Sequence, residues 1–357
     1  MRIAILGSVA LPVFPPLQGG TEWIAYYQAK GLSEKGHEII LFGAKGTAKN
    51  FQDSAVKVIE VGTGDLVAGS ENEAKFDPSL MESSRKLRLE SVYLAQVSQK
   101  LIELKDEYDL ILNNMRGEAV FLPVAKLINK PLVNVMHLNL FDDLASLFKE
   151  FNTKIITISN AQRKNYPDLQ YLATVYNGVD IDKFKFNPRP EEYLLMVGTI
   201  GRHKNQAAAI GVAKKMNKKL ILAGKVRDKD YFEELKKDID GEQIKWVGEI
   251  SFAEKLKLYM NAKVFLFPIL WEEPFGLVMI EAMACGTPVI AFDNGSVPEV
   301  VSNGKTGFVV ENEDQMADSL SKINFIGRED CRRRVEENFT VDKMINDYEE
   351  ALLKLSR

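Results

Sequence analysis

The chain is poor in the residues that build metal centres and disulfide frameworks. It has two cysteines, Cys285 and Cys331, and three histidines, His37, His137 and His203, in 357 residues. Two distant cysteines supply neither a metal clip nor a set of cross-links, and they favour a reducing cytoplasm. No apolar run approaches the ~18 to 20 residues of a membrane span, and "RIAILG" (2–7) is too short for a signal-peptide core. Basic charge is not in excess: a formal net charge of −4 and a pI near 5.7 argue against a nucleic-acid partner. The phosphate fingerprints are missing too. There is no GxGxxG, and "SNGKTG" (302–307) fails as a Walker loop because Glu299 stands where its first glycine belongs. "DID" (238–240) sits in a charged helix end and is a poor metal motif.

What is present is a rhythm. Short β-branched apolar runs alternate with longer helical patterns, which points to βαβ units and parallel sheets. Strands are expected at 2–7, 37–43, 109–114, 131–137, 154–159 and 172–178, with helices at 21–36, 84–106, 117–128 and 160–165. Residues 177–192 carry neither period and read as a connector. The alternation restarts at 193–198, 219–224, 244–249, 263–268, 287–292 and 306–310. The expected fold is α/β, with two doubly wound Rossmann-like domains over 1–180 and 181–340. An amphipathic helix over 341–357 is expected to pack back onto the first. The stretch 62–84 has the least pattern, and a loop of that length is often functional.

In open parallel sheets, ligands bind beyond the carboxyl ends of strands, so functional residues are sought there. Four stretches qualify. The loop "SVALPVFPPLQGGTEW" (8–23) ends in Gly19, Gly20 and Thr21 at a helix start, which suits a phosphate or a plain helix cap. His137 ends a strand, as a catalytic group or a packed histidine. "VGTIGRHKN" (197–205) brings Arg202 and Lys204 to a strand-to-helix turn, suited to a diphosphate or to solvent. "WEEPFGLVMIEAMACGTPVIAF" (271–292) places Glu273 in a loop and Glu281 on the helix after it. Phe275, Gly276 and Leu277 there offer backbone N–H groups to an anion. The two glutamates suit an acid/base pair or two grips on one ligand.

These residues resemble the family-4 retaining glycosyltransferases of the GT-B fold, over nearly the whole chain. The resemblance rests on Glu273 and Glu281 with "GTPV" downstream, on "PPLQGGTEW", on "NGVD" (177–180) and on "GSVPEVVSNGKTGFVV" (295–310). It implies two Rossmann-like domains facing across a cleft, an N-terminal one for the acceptor and a C-terminal one for the nucleotide-sugar donor. It further implies that Gly19, Gly20 and Thr21 face the acceptor, the last two also the diphosphate. His137 would lie beside the transferred sugar, and Lys204 would pair with the phosphates. Glu273 with Phe275, Gly276 and Leu277 would hold sugar hydroxyls and the β-phosphate, Glu281 the ribose, and Val247, Gly248 and Glu249 would be candidates for the base. One position departs: many members have arginine where this chain has Thr199, and Arg202 is the candidate to replace it.

The implied reaction transfers a hexosyl group from a nucleoside diphosphate sugar, a UDP-sugar by family frequency, to an acceptor hydroxyl with retention. His137, Lys204 and Glu273 are the catalytic candidates. A diphosphate leaving group needs no general acid, so a front-face route without metal or other cofactor is expected. The acceptor would be a carbohydrate, a lipid-linked or a small molecule, in the cytoplasm. Peripheral membrane contact stays open, because "RKLRLESVYLAQVSQKLIELKDEY" (85–108) is amphipathic with a basic start. Three alternatives stand beside this one. A nucleotide-sugar 2-epimerase would share the cleft, and a non-catalytic sugar-nucleotide subunit would bind without turnover. A glycoside hydrolase would need the two carboxyls ~5 to 9.5 Å apart.

Overall fold

The computed structural model describes residues 1–14, 20–64 and 78–355, with the side chains of 78–86 excepted. Gly19 and most of the 62–84 stretch therefore lie outside the described residues. The chain divides into two compact units. One holds Met1–Ile158, Asn165–Val175 and the chain from Ile345 onward; the other holds Ser159–Lys164 and Tyr176–Met344. Along the chain, the first unit gives way to the second between Val175 and Tyr176.

The first unit runs β1 (Arg2–Ser8), α1 (Gly20–Glu34), β2 (Glu38–Gly43), β3 (Lys57–Glu60), α2 (Pro78–Glu103) and β4 (Leu110–Asn113). It continues through α3 (Glu118–Leu127), β5 (Leu132–Met136), α4 (Asp142–Glu150), β6 (Lys154–Thr157) and β7 (Tyr171–Thr174). Its strands form one parallel sheet in the order β3-β2-β1-β4-β5-β6-β7. Strands of such a sheet are covered on both faces and read as unbroken apolar runs, as Ile3 to Leu6 do at full burial. The strand order reverses at β1 and β4, so the exits of β1, β4 and β5 lie side by side.

Three local expectations needed correction, and two short elements were not foreseen. α2 begins at Pro78, not near 84; proline suits a first helical turn, where its missing N–H costs nothing. The expected helix at 160–165 is a single 3-10 turn, Ala161–Arg163, and the strand expected over 172–178 ends at Thr174. β3, with its ends charged, and the nine-residue α4 were too short to show a period.

The second unit runs β8 (Tyr193–Val197), α5 (Gln206–Lys215), β9 (Lys219–Ala223), α6 (Lys229–Lys236), β10 (Ile244–Trp246) and α7 (Phe252–Asn261). Then come β11 (Val264–Phe267), α8 (Leu277–Ala284), β12 (Val289–Phe292), α9 (Val297–Val300), β13 (Gly307–Val310), α10 (Glu313–Lys322) and α11 (Arg328–Asn338). The sheet is again parallel, in the order β10-β9-β8-β11-β12-β13, and it reverses at β8 and β11.

The last helix, α12 (Val341–Leu353), crosses the division, and from Ile345 it belongs to the first unit. Ile345, Tyr348, Ala351 and Leu352 are buried at helical spacing. A Cβ on Gly31 of α1 would stand 2.7 Å from Ile345, so only glycine allows α1 and α12 to approach this closely. Glu349 accepts hydrogen bonds from Lys35 at 2.8 Å and from the His37 ring at 2.9 Å. Among the described residues, no helix is long and apolar enough to cross a membrane.

Candidate functional site

In the second unit the exits of β8 and β11 adjoin at the point where strand order reverses, the place where such sheets bind ligands. Leu270 N–H donates to His203 C=O at 2.9 Å and ties the two exit loops together. Lys204 ends a 3-10 turn, Arg202–Lys204, and its Nζ lies 3.1 Å from Oε2 of Glu273. Trp271 Nε1–H donates to the same Oε2 at 3.0 Å. The ammonium also stands 5.4 Å and 5.2 Å from the centres of the Phe267 and Trp271 rings, within cation–π range. Glu273 is only 9% exposed, and two donors converge on one of its oxygens. Oε1 meets no protein donor among the described residues.

The exit of β12 holds this turn in place. Ser296 N–H donates to Glu273 C=O at 2.9 Å, and its hydroxyl donates to Phe275 C=O at 2.9 Å. A Cβ on Gly295 would meet the backbone O and N of Glu273 at 2.3 Å and 2.4 Å, so the loop packs against the glutamate without a side chain between. Gly276 caps α8 at φ 82°, a left-handed conformation that favours glycine. Met279 N–H donates to Gly276 C=O at 2.9 Å, while the N–H groups of Leu277 and Val278 open α8 with no acceptor one turn back in the helix. Phe275 is buried against Tyr176 and Phe339, which anchors the turn.

Glu281 lies further along α8. Lys255 Nζ approaches its Oε1 at 2.8 Å, and the buried Tyr259 hydroxyl donates to Oε2 at 2.9 Å, both from α7. Burial and the Glu281 carboxylate push the Tyr259 phenol well above its ordinary pKa. Val247 and Gly248 follow β10. Val247 N–H donates to Leu222 C=O at 3.0 Å, and Gly248 C=O accepts from Gly224 N–H at 2.7 Å. Gly248 has φ 75° and open space where a Cβ would be.

Arg202 is placed differently from Lys204. Its guanidinium pairs with Glu234, stands 3.8 Å from Asp228 and stacks over Tyr231 on α6, with its side chain largely exposed. The structure does not bring it to the Lys204–Glu273 pair. Thr199, where an arginine was sought, has its C=O bonded by Gln206 Nε2 at 3.0 Å.

In the first unit, α1 opens at Gly20 and Thr21. Glu22 is buried there and accepts from the Ser8 hydroxyl at 2.8 Å. Burial raises its pKa, with the Ser8 hydrogen bond opposing. His137 follows β5, half-buried, with Nε2 2.9 Å from Oδ1 of Asn114. Burial, reinforced by the Arg116 charge, pushes its pKa down to about 4.

Sequence reasoning missed Trp271, Lys255, Tyr259, Ser296 and Asn114. Trp271 alone carried a signal, two residues before Glu273. Each of the others bonds a candidate residue on a different element of its own unit, and a single sequence holds no sign of that pairing. A cavity of about 900 Å³ opens elsewhere, at the amino ends of β8 and β9, and contains none of these residues.

Residues 179–339, nearly all of the second unit, match the family model described as glycosyl transferases group 1. The O-antigen chain mannosyltransferase RfbU of Salmonella typhimurium is 28% identical over 198 residues, 51% of this chain and 56% of its own length. The phosphatidyl-myo-inositol mannosyltransferase of Mycolicibacterium smegmatis is 22% identical over 342 residues, 90% of this chain and 84% of its own. HepE of Anabaena, solved in complex with UDP and glucose, has a TM-score of 0.74 at 20% identity, covering 99% of this chain and 100% of that one. The chain spans about half the length of RfbU and of several other curated relatives it matches. The fold is that of the GT-B glycosyltransferases, and residues 179–339 are similar to the group 1 glycosyl transferases.

Proposed function

We propose that the chain is a retaining glycosyltransferase that moves a hexosyl group from a nucleoside diphosphate sugar to an acceptor hydroxyl. The observation that carries this reading is Glu273 at the reversal point of the second sheet. Lys204 and Trp271 share one of its oxygens, the other stays open, and the first turn of α8 lies beside it. A carboxylate held this way accepts from a sugar hydroxyl while the neighbouring ammonium and N–H groups take the phosphates.

In this reading Glu273 Oε1 accepts from a hydroxyl of the transferred sugar. Lys204 has two further N–H donors for the β-phosphate, joined by backbone N–H groups at Phe275, Gly276 and Leu277. Glu281 takes the ribose diol, since each of its oxygens can accept a second hydrogen bond beside Lys255 or Tyr259. The turn at Val247 and Gly248 takes the base. Gly19, Gly20, Thr21 and His137 serve the acceptor side and the sugar. Arg202 would contribute only by leaving Glu234.

The chemistry follows from the leaving group. A departing diphosphate needs its growing negative charge stabilised rather than a proton donated to an alkoxide, and Lys204 with the α8 N–H groups supplies that. With Glu273 occupied in binding, no enzymic nucleophile is required. The departing phosphate oxygen takes the acceptor proton as the same face of the sugar is attacked, with no metal or other cofactor. A UDP-hexose is the donor we favour, because HepE was solved with UDP and glucose.

The stereochemistry tests this directly. Slow turnover of a UDP-α-hexose followed by proton NMR should release the α-anomer first, with the β-anomer growing only by mutarotation. Initial release of the β-anomer would overturn the retaining mechanism.

A further inference from the structure

A buried amide pair stands behind His137. Asn114, at the exit of β4, is 3% exposed, and its backbone N–H donates to Leu6 C=O of β1 at 2.8 Å. Its side-chain amide donates to Oε1 of the fully buried Gln28 of α1 at 2.7 Å. That bond leaves Asn114 Oδ1, an acceptor, against His137 Nε2 at 2.9 Å. An acceptor at that distance requires a proton on Nε2. A neutral imidazole with its proton there carries a lone pair on Nδ1, and Nδ1 meets no protein donor among the described residues.

We infer that Asn114, held by Gln28, is a positioning residue that fixes His137 in its Nε2–H form and presents Nδ1 as an acceptor for a substrate hydroxyl. This rests on the proposed function only for the identity of the hydroxyl, as one of the sugar or acceptor. Three neighbouring elements meet here: α1 gives Gln28, β4 gives Asn114, and β5 gives His137. Arg116, in the turn after β4, is the charged group that acts on the ring, and it acts also on Glu22 and Glu118. Glu22 is bonded to Ser8, and no ion pair joins any of the three carboxyl or imidazole groups to Arg116 among the described residues.

The consequence is chemical. A histidine kept neutral, with its only proton committed to Asn114, cannot act as a general acid at neutral pH. It orients a hydroxyl by accepting from it, which places that oxygen without changing its charge. Positioning of this kind acts on kcat more than on nucleotide affinity.

The test uses the full chain labelled with ¹⁵N-histidine, with His37→Gln and His203→Gln variants to assign the three imidazoles. His137 should be neutral and protonated on Nε2 across about pH 6 to 8. Asn114→Asp should raise its titration midpoint by about 1 to 3 pH units, because a carboxylate would now face the ring. Asn114→Leu should bring in the Nδ1–H form and lower kcat about tenfold, with nucleotide KM little changed. An Nδ1–H form in the unaltered protein, an ordinary midpoint near 6.5, or no response to Asn114→Asp would overturn the inference. The NMR arms need no substrate, so they stand apart from any failure of the proposed reaction.

Discussion

Glu273→Gln separates the two halves of the proposed donor site. In the native turn, Oε2 accepts from both Lys204 and Trp271, at 3.1 Å and 3.0 Å. Both partners are donors, so a glutamine there must turn its carbonyl oxygen toward them and its NH₂ toward the position of Oε1. The substitution therefore keeps the shape and reverses one polarity: an acceptor facing the sugar becomes a donor. A hydrogen bond to a charged group contributes roughly 1.5 to 3 kcal/mol. Its loss should weaken a UDP-hexose by about 10- to 150-fold. UDP lacks the sugar, so its affinity should stay within about threefold of the native value. A slight gain is in keeping with a diphosphate that no longer faces a carboxylate. Isothermal titration of both ligands into both proteins reads the difference. Loss of the largely buried ion pair should itself cost about 1 to 2 kcal/mol, checked by urea unfolding. Equal weakening of UDP and UDP-hexose would refute the assignment of Glu273 to the sugar.

Three further outcomes are expected. Glu281→Ala removes the acceptor of the buried Tyr259 hydroxyl and the ribose contact together. It should lower UDP affinity about tenfold or more by titration and stability by about 1 to 3 kcal/mol in urea. Trp271→Phe keeps a ring beside Lys204 but deletes the Nε1–H bond to Glu273. Initial rates should show kcat down about tenfold with little change in stability, and an unchanged kcat would show that Lys204 alone orients the carboxylate. Lys35 and His37 hold the Glu349 carboxyl below its ordinary pKa of 4.5. Its stabilising effect should be complete above that value and fade as pH falls through the lower folded pKa. Glu349→Gln should flatten that part of the pH–stability curve in denaturant titrations, by a small amount because the pair is partly exposed.

The fold was legible because parallel strands buried on both faces leave unbroken apolar runs. "RIAILG" and "KVFLFP" both mark strands, β1 and β11. Short elements were not, since β3 spans four residues and cannot display a period. The candidate site was legible where the residues share one loop, as Glu273, Phe275 and Gly276 do. Lys204 could be named from its strand exit, but its pairing with Glu273, 69 positions away, comes from the reversal of strand order at β8 and β11. Arg202 shows the limit of charge alone: Glu234 on α6 and Asp228 just before it draw it away, and nothing in "GRHKN" foretells that. Asn114 and Gln28 were hidden as ordinary core polar residues. Their meaning appears only once β1, β4 and β5 are side by side.

The central claim is that the second unit binds a nucleoside diphosphate sugar, and a ligand panel tests it most directly. Sugar nucleotides differing in base and sugar, with their free nucleotides, should be scored for thermal stabilisation and for slow release of free nucleotide. At least one nucleotide sugar should stabilise the protein beyond its own nucleotide and be turned over slowly, and Glu273→Gln should erase that extra stabilisation. No stabilisation by any member of the panel would contradict the account.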